Sequence, residues 1–226
     1  MPRMVRPLLL ALSLAAVPAL AFGAEPKKPA ATKPEAKPDS KSSKAGGEVY
    51  ATFVTSQGKI GVRLTPETKP SSVKNFVDLA EGKKEWTDPR TGQKSKKPLY
   101  DGTIFHRVIP GFMIQGGDPL GQGVGGPGYA IPDEIDAGEQ FFLQPCQLAY
   151  ANSGPNSNGS QFFITEVMTL HLNPTKCTNS PSGTCGYVRF GEGVCGCELV
   201  AKIARLGNGK TTLEKVVISK TKPDCK

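Results

Sequence analysis

From residue 48 onward the chain alternates apolar and polar positions in short bursts. Residues 48–64, EVYATFVTSQGKIGVRL, alternate on both sides of Gln57-Gly58, which predicts a β-hairpin. The period then lengthens. Over 66–82 a Pro- and Ser-rich opening leads into Val73, Phe76, Val77 and Ala80 on one face, an amphipathic helix that stops at Gly82. Residues 83–99 lose the periodicity and carry six Lys and Arg, which reads as a solvated loop. Short apolar runs bounded by Gly and Pro follow at 103–109, 112–115, 147–150 and 161–165, each a short strand. ELVAKIARL (198–206) predicts a second helix and TLEKVVIS (212–219) a last strand. The result is a mainly β chain, a closed antiparallel barrel or sandwich with helices capping it.

The N-terminal residues do not fit this pattern. Arg3 and Arg6 precede an apolar run, PLLLALSLAAVPALAF (7–22), too short and Pro-broken for a stable membrane span. Small residues follow at Ala19, Ala21, Gly23 and Ala24, so residues 1–24 read as a secretory signal peptide. Residues 25–47 contain no large apolar side chain and repeat Lys-Pro, the composition of a disordered linker. The folded domain is then 48–226, enough for one core. No later segment is apolar enough to span a bilayer, so no stable membrane insertion is expected after signal cleavage.

Charge changes the picture little. Residues 1–44 hold eight of the 28 Lys and Arg and three of the 20 Asp and Glu, leaving 20 basic and 17 acidic residues, a net of +3. That is an ordinary solvated surface, and no nucleic-acid partner is expected. The six cysteines, Cys146, Cys177, Cys185, Cys195, Cys197 and Cys225, form an even set in a chain read as exported, which favours disulfides. Cys195 and Cys197 are too close to pair with each other. Cys177 and Cys185 are expected to staple the loop between them, to each other or to Cys195 and Cys197. A four-thiolate zinc site is the alternative, although the spacing fits no common zinc pattern.

The usual chemistries lack support. His106 and His171 have no nucleophile or metal partner at a meaningful spacing. GGDPLGQGVGGPG (116–128) lacks the Lys-Ser/Thr and the strand–helix frame of a phosphate loop. Asp133, Glu134 and Asp136 read as surface residues of a Pro-containing loop. Asn158-Gly159-Ser160 is a glycosylation sequon inside a stretch with a better explanation. Two stretches stand out instead. FHRVIPGFMIQGGD (105–118) sets Arg107 among large apolar side chains, where a permanent charge needs a reason. AYANSGPNSNGSQFFIT (149–165) sets asparagines and a glutamine beside Phe162 and Phe163, suited to a groove that bonds a peptide backbone while burying a side chain.

Together the two stretches resemble the cyclophilin family of peptidyl-prolyl cis–trans isomerases, and the loop KEWTDPRTGQK is similar to one in bacterial members. The resemblance runs from about Val49 to Ile218. It implies a closed eight-stranded antiparallel barrel with two capping helices, acting on proline-containing polypeptides without cofactor or metal. It implies that Arg107 is the catalytic arginine and that Gln115 helps position it. Phe112, Met113, Phe163 and Leu172 correspond to the walls of the proline pocket. Ala151 and Asn152 match the segment that pairs with the substrate backbone, and Gln161 a further groove residue. Two positions depart from the eukaryotic pattern: His171 stands for a tryptophan, and Tyr187, beyond a cysteine-containing insertion, for a histidine. The remaining expectation is a monomer in the bacterial periplasm or outside the cell, assisting the folding of exported proteins. The rival is a proline-peptide binding module with feeble catalysis.

Overall fold

The computed structural model describes residues 47–226, so residues 1–24, read as a signal peptide, and nearly all of the stretch read as a linker lie outside the described residues. Two long strands open the fold: β1 (Val49–Thr55) and β2 (Gly58–Leu64), paired from Val49↔Leu64 to Thr55↔Gly58. The Thr55 hydroxyl donates to the Gly58 carbonyl at 2.7 Å and accepts from the Gln57 N–H at 3.1 Å, closing the tight turn. Helix α1 (Pro70–Ala80) follows, shorter than the period implied. Residues 66–69 form a turn instead, with the N–H groups of Thr68 and Lys69 both donating to the Thr65 carbonyl. Pro70 occupies the first turn, where its missing N–H costs nothing.

Glu134 completes this helix. Its carboxylate accepts from the Ser71 N–H at 3.0 Å and the Ser72 N–H at 2.7 Å, so it caps α1 from 62 residues away. Its reading as a surface residue is therefore corrected. Asp133 is likewise engaged, accepting from Asn158 Nδ2 at 2.7 Å and the Asn156 N–H at 2.8 Å.

The loop after α1 is less open than its composition implied. It contains a small hairpin, β3 (Trp86–Thr87) with β4 (Lys94–Ser95), and Trp86 is buried. Lys83, Arg90 and Lys94 are neutralised by Glu81, Asp88 and Glu85. The expected strand 103–109 is two strands, β5 (Thr103–Ile104) and β6 (Arg107–Ile109). Then come β7 (Met113–Gly116), β8 (Gln147–Tyr150), β9 (Phe162–Thr165), a single 3-10 turn at Leu170–Leu172, and the short pair β10 (Thr175–Lys176) and β11 (Thr184–Cys185). Strand β12 (Arg189–Cys195), helix α2 (Glu198–Leu206) and β13 (Thr212–Ser219) finish the chain. Among the described residues no helix is long and apolar enough to cross a membrane.

Nine strands form one curled sheet in the order β5-β13-β1-β2-β12-β8-β9-β7-β6. The closed eight-stranded barrel is not what is found. The sheet is open between its edges, β5 and β6. These strands are consecutive in the chain, and Phe105-His106 passes between them without a shared ladder. Phe105 bonds elsewhere, its N–H donating to the Thr211 carbonyl and its C=O accepting from the Gly209 N–H, while the Val108 N–H of β6 donates to Asn208 Oδ1. The curled sheet and α1 enclose an aromatic core of Phe53, Phe76, Tyr100, Phe105, Phe162 and Phe190, all essentially inaccessible.

All six cysteines are paired, as Cys146–Cys197, Cys177–Cys185 and Cys195–Cys225. Cys177 and Cys185 thus close their own loop, and the zinc alternative is ruled out because no thiolate is free. Strand β12 escaped the sequence reading because GEGVCGC looks like a turn. Its glycines answer to close packing: a Cβ on Gly193 would lie 2.1 Å from Cys146 Sγ and 2.3 Å from Cys197 Sγ.

Candidate active site

Strand register builds the site. Arg107 on β6 lies opposite Gln115 on β7, Gln115 opposite Phe163 on β9, and Phe163 opposite Ala149 on β8. One row across four strands therefore carries a cation, an amide, an aromatic ring and a methyl group to one face of the sheet. Met113, two residues before Gln115, joins the same face. Met113, Phe142, Ala149, Phe163 and Leu172 form a small apolar cluster separate from the main core, with Phe112 and Tyr187 packed against it.

This face floors a hollow of about 580 Å³. Phe112, Met113, Phe163 and Leu172 supply its apolar walls, and Tyr187 stands edge-on to Phe163 with centroids 5.3 Å apart. Arg107 and Gln115 line the polar side, with Arg107 Nη1 donating to Gln115 Oε1 at 3.3 Å. Arg107 is not buried; it is exposed, and among the described residues it forms no ion pair. The guanidinium needs no buried partner because it sits at the open side of an apolar hollow. Gln115 in turn donates to Gln161 Oε1 at 2.9 Å, and Gln161 donates to the Gly125 carbonyl at 2.9 Å. This chain of amides fixes which Gln115 oxygen or nitrogen faces Arg107.

Ala151 and Asn152 form the opposite rim. The Ala151 N–H is spent on the Gln161 carbonyl at 3.0 Å. The Asn152 side chain is spent too, its Nδ2 lying 3.4 Å from Asn158 Oδ1 and 3.3 Å from the Gly186 carbonyl. The backbone N–H and C=O of Asn152 make no hydrogen bond among the described residues. A half-buried, unpaired peptide group beside an apolar hollow is a place where an added chain can pair. A second hollow of about 710 Å³ adjoins the first and shares Gln115, Gly123, Ala151 and Asn152 with it.

Nine expected residues, Arg107, Phe112, Met113, Gln115, Ala151, Asn152, Phe163, Leu172 and Tyr187, line the first hollow. Gln161 lines the second. His171 lines neither: it is exposed, and its ring packs on Phe112 with centroids 5.5 Å apart. The sequence reading missed His106, Gln122, Gly123 and Asn208, which also line the first hollow. Gln122 and Gly123 are placed by Asp118, a fully buried carboxylate that accepts from the Leu120 and Gln122 N–H groups at 2.7 and 2.9 Å and from the Gly123 N–H at 2.6 Å. Burial would raise the Asp118 carboxyl, but these backbone donors outweigh it and hold it below the usual carboxylate range. So the glycine run wraps a carboxylate, and a Cβ on Gly125 would lie 1.9 Å from Asp118 Oδ1. His106 is held neutral: burial lowers its pKa, and neither ring nitrogen has a partner. The first hollow contains no serine, threonine or cysteine.

Comparison with known proteins agrees with this geometry. Residues 50–223 match the family described as cyclophilin type peptidyl-prolyl cis-trans isomerase/CLD. Peptidyl-prolyl cis-trans isomerase B of Streptomyces anulatus is 49% identical over 176 residues, covering 76% of this chain and 94% of that protein. Peptidyl-prolyl cis-trans isomerase A of Mycobacterium tuberculosis is 43% identical over 173 residues, covering 75% and 91%. Among solved structures, a Cryptosporidium parvum cyclophilin type isomerase superposes with a TM-score of 0.60 at 29% identity, covering 78% of this chain and 99% of its own. The same isomerase crystallised in the presence of the dipeptide Ala-Pro gives a TM-score of 0.58. Family match, relatives and fold converge, and this chain belongs to the cyclophilin-type peptidyl-prolyl cis–trans isomerases.

Proposed function

We propose that the hollow beneath Arg107 binds the proline of an extended polypeptide and accelerates rotation about the preceding X–Pro bond. The observation that carries this reading is the row Arg107–Gln115–Phe163, which sets a cation without an ion pair beside an apolar floor. The reaction breaks no bond. Its barrier of about 18–20 kcal/mol is the loss of amide resonance. The first hollow, whose lining has no serine, threonine or cysteine, suits it.

In the twisted transition state the prolyl nitrogen regains a lone pair. A donor aimed at that nitrogen binds the twisted state better than either planar one, which is what lowers a barrier. Arg107 is that donor, and Gln115, anchored by Gln161, orients it. Phe112, Met113, Phe163 and Leu172 hold the pyrrolidine ring and exclude water. The free N–H and C=O of Asn152 hold the chain on one side of the bond, so rotation is confined to the other. One preorganised charged donor contributes about 3–4 kcal/mol. The second hollow takes residues flanking the proline.

The clients we propose are exported proteins, and the chain itself is a monomer that works outside the cytoplasm. Three disulfides support an oxidising compartment. The test is cis-to-trans exchange of a short X–Pro peptide, with the full chain beside its Arg107→Ala variant. Acceleration that falls about 100-fold or more in the variant supports both reaction and mechanism. A folded protein that binds the peptide without accelerating exchange is a binding module instead. Equal activity in both proteins keeps the reaction and rejects the role of Arg107.

A further inference from the structure

Between Leu172 and Tyr187, both of which line the hollow, the chain makes an excursion. Residues 174–186, PTKCTNSPSGTCG, contain no large apolar side chain, so no hydrophobic core holds them. Polar and covalent ties hold them instead: the two-residue ladder Thr175↔Cys185 and Lys176↔Thr184, the Cys177 N–H donating to the Gly183 carbonyl at 3.0 Å, the Gly138 N–H donating to the Pro174 carbonyl at 3.2 Å, and the Cys177–Cys185 disulfide. The loop's exit also rests on its entrance. Gly186 has φ 151°, and a Cβ there would lie 2.8 Å from the Cα of Pro174.

The carbonyl of that same Gly186 accepts from Asn152 Nδ2 at 3.3 Å. The other anchor of the Asn152 carboxamide is Asn158, itself fixed by Asp133 at 2.7 Å. The side chain of Asn152 is thus a tie between two supports, one rigid and one set by the loop. The backbone of Asn152 is what remains free for a client chain. The next residue after Gly186 is Tyr187, which stands against Phe163. One short covalent staple therefore reaches two sides of the groove.

We propose that the disulfide-closed loop Pro174–Gly186 is a positioning element of the isomerase groove. The Cys177–Cys185 bond fixes the Gly186 carbonyl, and this carbonyl, through the Asn152 carboxamide, presents the Asn152 backbone to the client. The inference rests on the reading that Asn152 pairs with the client backbone. It assigns substrate grip to the loop and leaves the chemistry at Arg107 alone.

The experiment uses the full chain and a proline peptide titrated to saturation, with KM and kcat taken from exchange rates. C177S/C185S raises KM about tenfold, the worth of a lost hydrogen-bonded tie, and leaves kcat within about twofold. C195S/C225S removes a disulfide that touches neither hollow and leaves both constants unchanged. Asn152→Ala raises KM by itself, and adding C177S/C185S to it raises KM by less than about twofold more, because the tie is already gone. Gly186→Ala, with every disulfide intact, displaces the carbonyl and reproduces the rise, which decides the matter if C177S/C185S does not fold. A folded C177S/C185S or Gly186→Ala protein with unchanged KM, beside an Asn152→Ala protein with raised KM, overturns the loop's role. So does a full tenfold rise in the Asn152→Ala background. Unchanged KM in Asn152→Ala alone overturns the reading of the groove on which the loop's role depends.

Discussion

Phe162 and Phe163 are neighbours on one strand and serve opposite faces of the sheet. Phe162 is fully buried, with the rings of Phe53, Phe76, Tyr100 and Phe105 at centroid distances of 5.1–6.2 Å. Phe163 lies in the small cluster under the hollow. The same division runs through whole rows. Val108, Ile114, Ile164 and Leu148 pair across four strands and all lie in the main core. One residue along each strand, Arg107, Gln115, Phe163 and Ala149 pair across the same four and line or floor the groove. The inner row makes the shared backbone stiff. The outer row can then keep an exposed charge and an open hollow without costing the fold its stability.

Substitutions on the two faces separate the two roles. The largest effect is expected inside. Phe162→Ala leaves a cavity among four rings and costs about 3–5 kcal/mol of stability. Urea unfolding measures it, and kcat/KM of the fraction that remains folded stays near wild type. Outside, Arg107→Ala reverses the pattern: kcat/KM falls about 100-fold or more, and the unfolding midpoint barely moves, because an exposed side chain with no ion pair and a single exposed hydrogen bond to Gln115 adds little to stability. A large loss of stability in Arg107→Ala, or a large loss of intrinsic activity in Phe162→Ala, breaks the division between the faces.

The two faces also differ in how far the sequence reveals them. Alternation and period mark the hairpin β1–β2, α1, β8, β9, α2 and β13 within a few residues, because each buries one face of a regular element. The open sheet is not visible, because Phe105-His106 lies inside an apolar run and its partners, Thr211 and Gly209, are about a hundred residues away. Strand β12 is hidden because its glycines serve close approach rather than turning, Gly191 to Val62 and the Arg63 carbonyl and Gly193 to the Cys146 and Cys197 sulfurs. On the groove side, Arg107, Gln115 and the aromatics are legible, since a charge amid apolar residues has few reasons to exist. Gly186, Asn208 and Asp118 are not: Gly186 acts through its own carbonyl, and the side-chain oxygens of Asn208 and Asp118 accept from backbone N–H groups that no side-chain pattern marks. Long-range caps are equally silent: nothing near Glu134 in sequence points to the first turn of α1.

That cap gives a smaller prediction, on the core side. Glu134→Gln weakens the acceptor for two helix N–H groups and costs about 1 kcal/mol. Burial would raise the Glu134 carboxyl, but its bonds to Ser72 and Ser71 prevail and hold it below the usual range. A carboxyl depressed in the folded state stabilises the fold above its unfolded value, near 4.3, and this contribution is lost as pH falls through the lower folded value. Acid unfolding of Glu134→Gln is accordingly less steep below pH 4.3 than that of the wild type. Equal slopes would mean that the cap contributes nothing.

The smallest expected effect belongs to the groove, and it is close to zero. Rotation about an X–Pro bond transfers no proton, so kcat/KM for a peptide without titrating groups is flat between about pH 7 and 9. His106, which lines the hollow, does not disturb this plateau. Burial disfavours its charged form, so its folded pKa lies below the ordinary 6.5 and the ring is neutral throughout the window. Its contribution to stability is complete above the unfolded value and is lost as pH falls toward the folded one. Any decline in activity therefore begins below pH 6.5, in step with falling stability, and His106→Gln moves both together. A sloping profile between pH 7 and 9 would instead reveal a proton in flight, and with it a general acid or base that the groove row Arg107–Gln115–Phe163 does not contain.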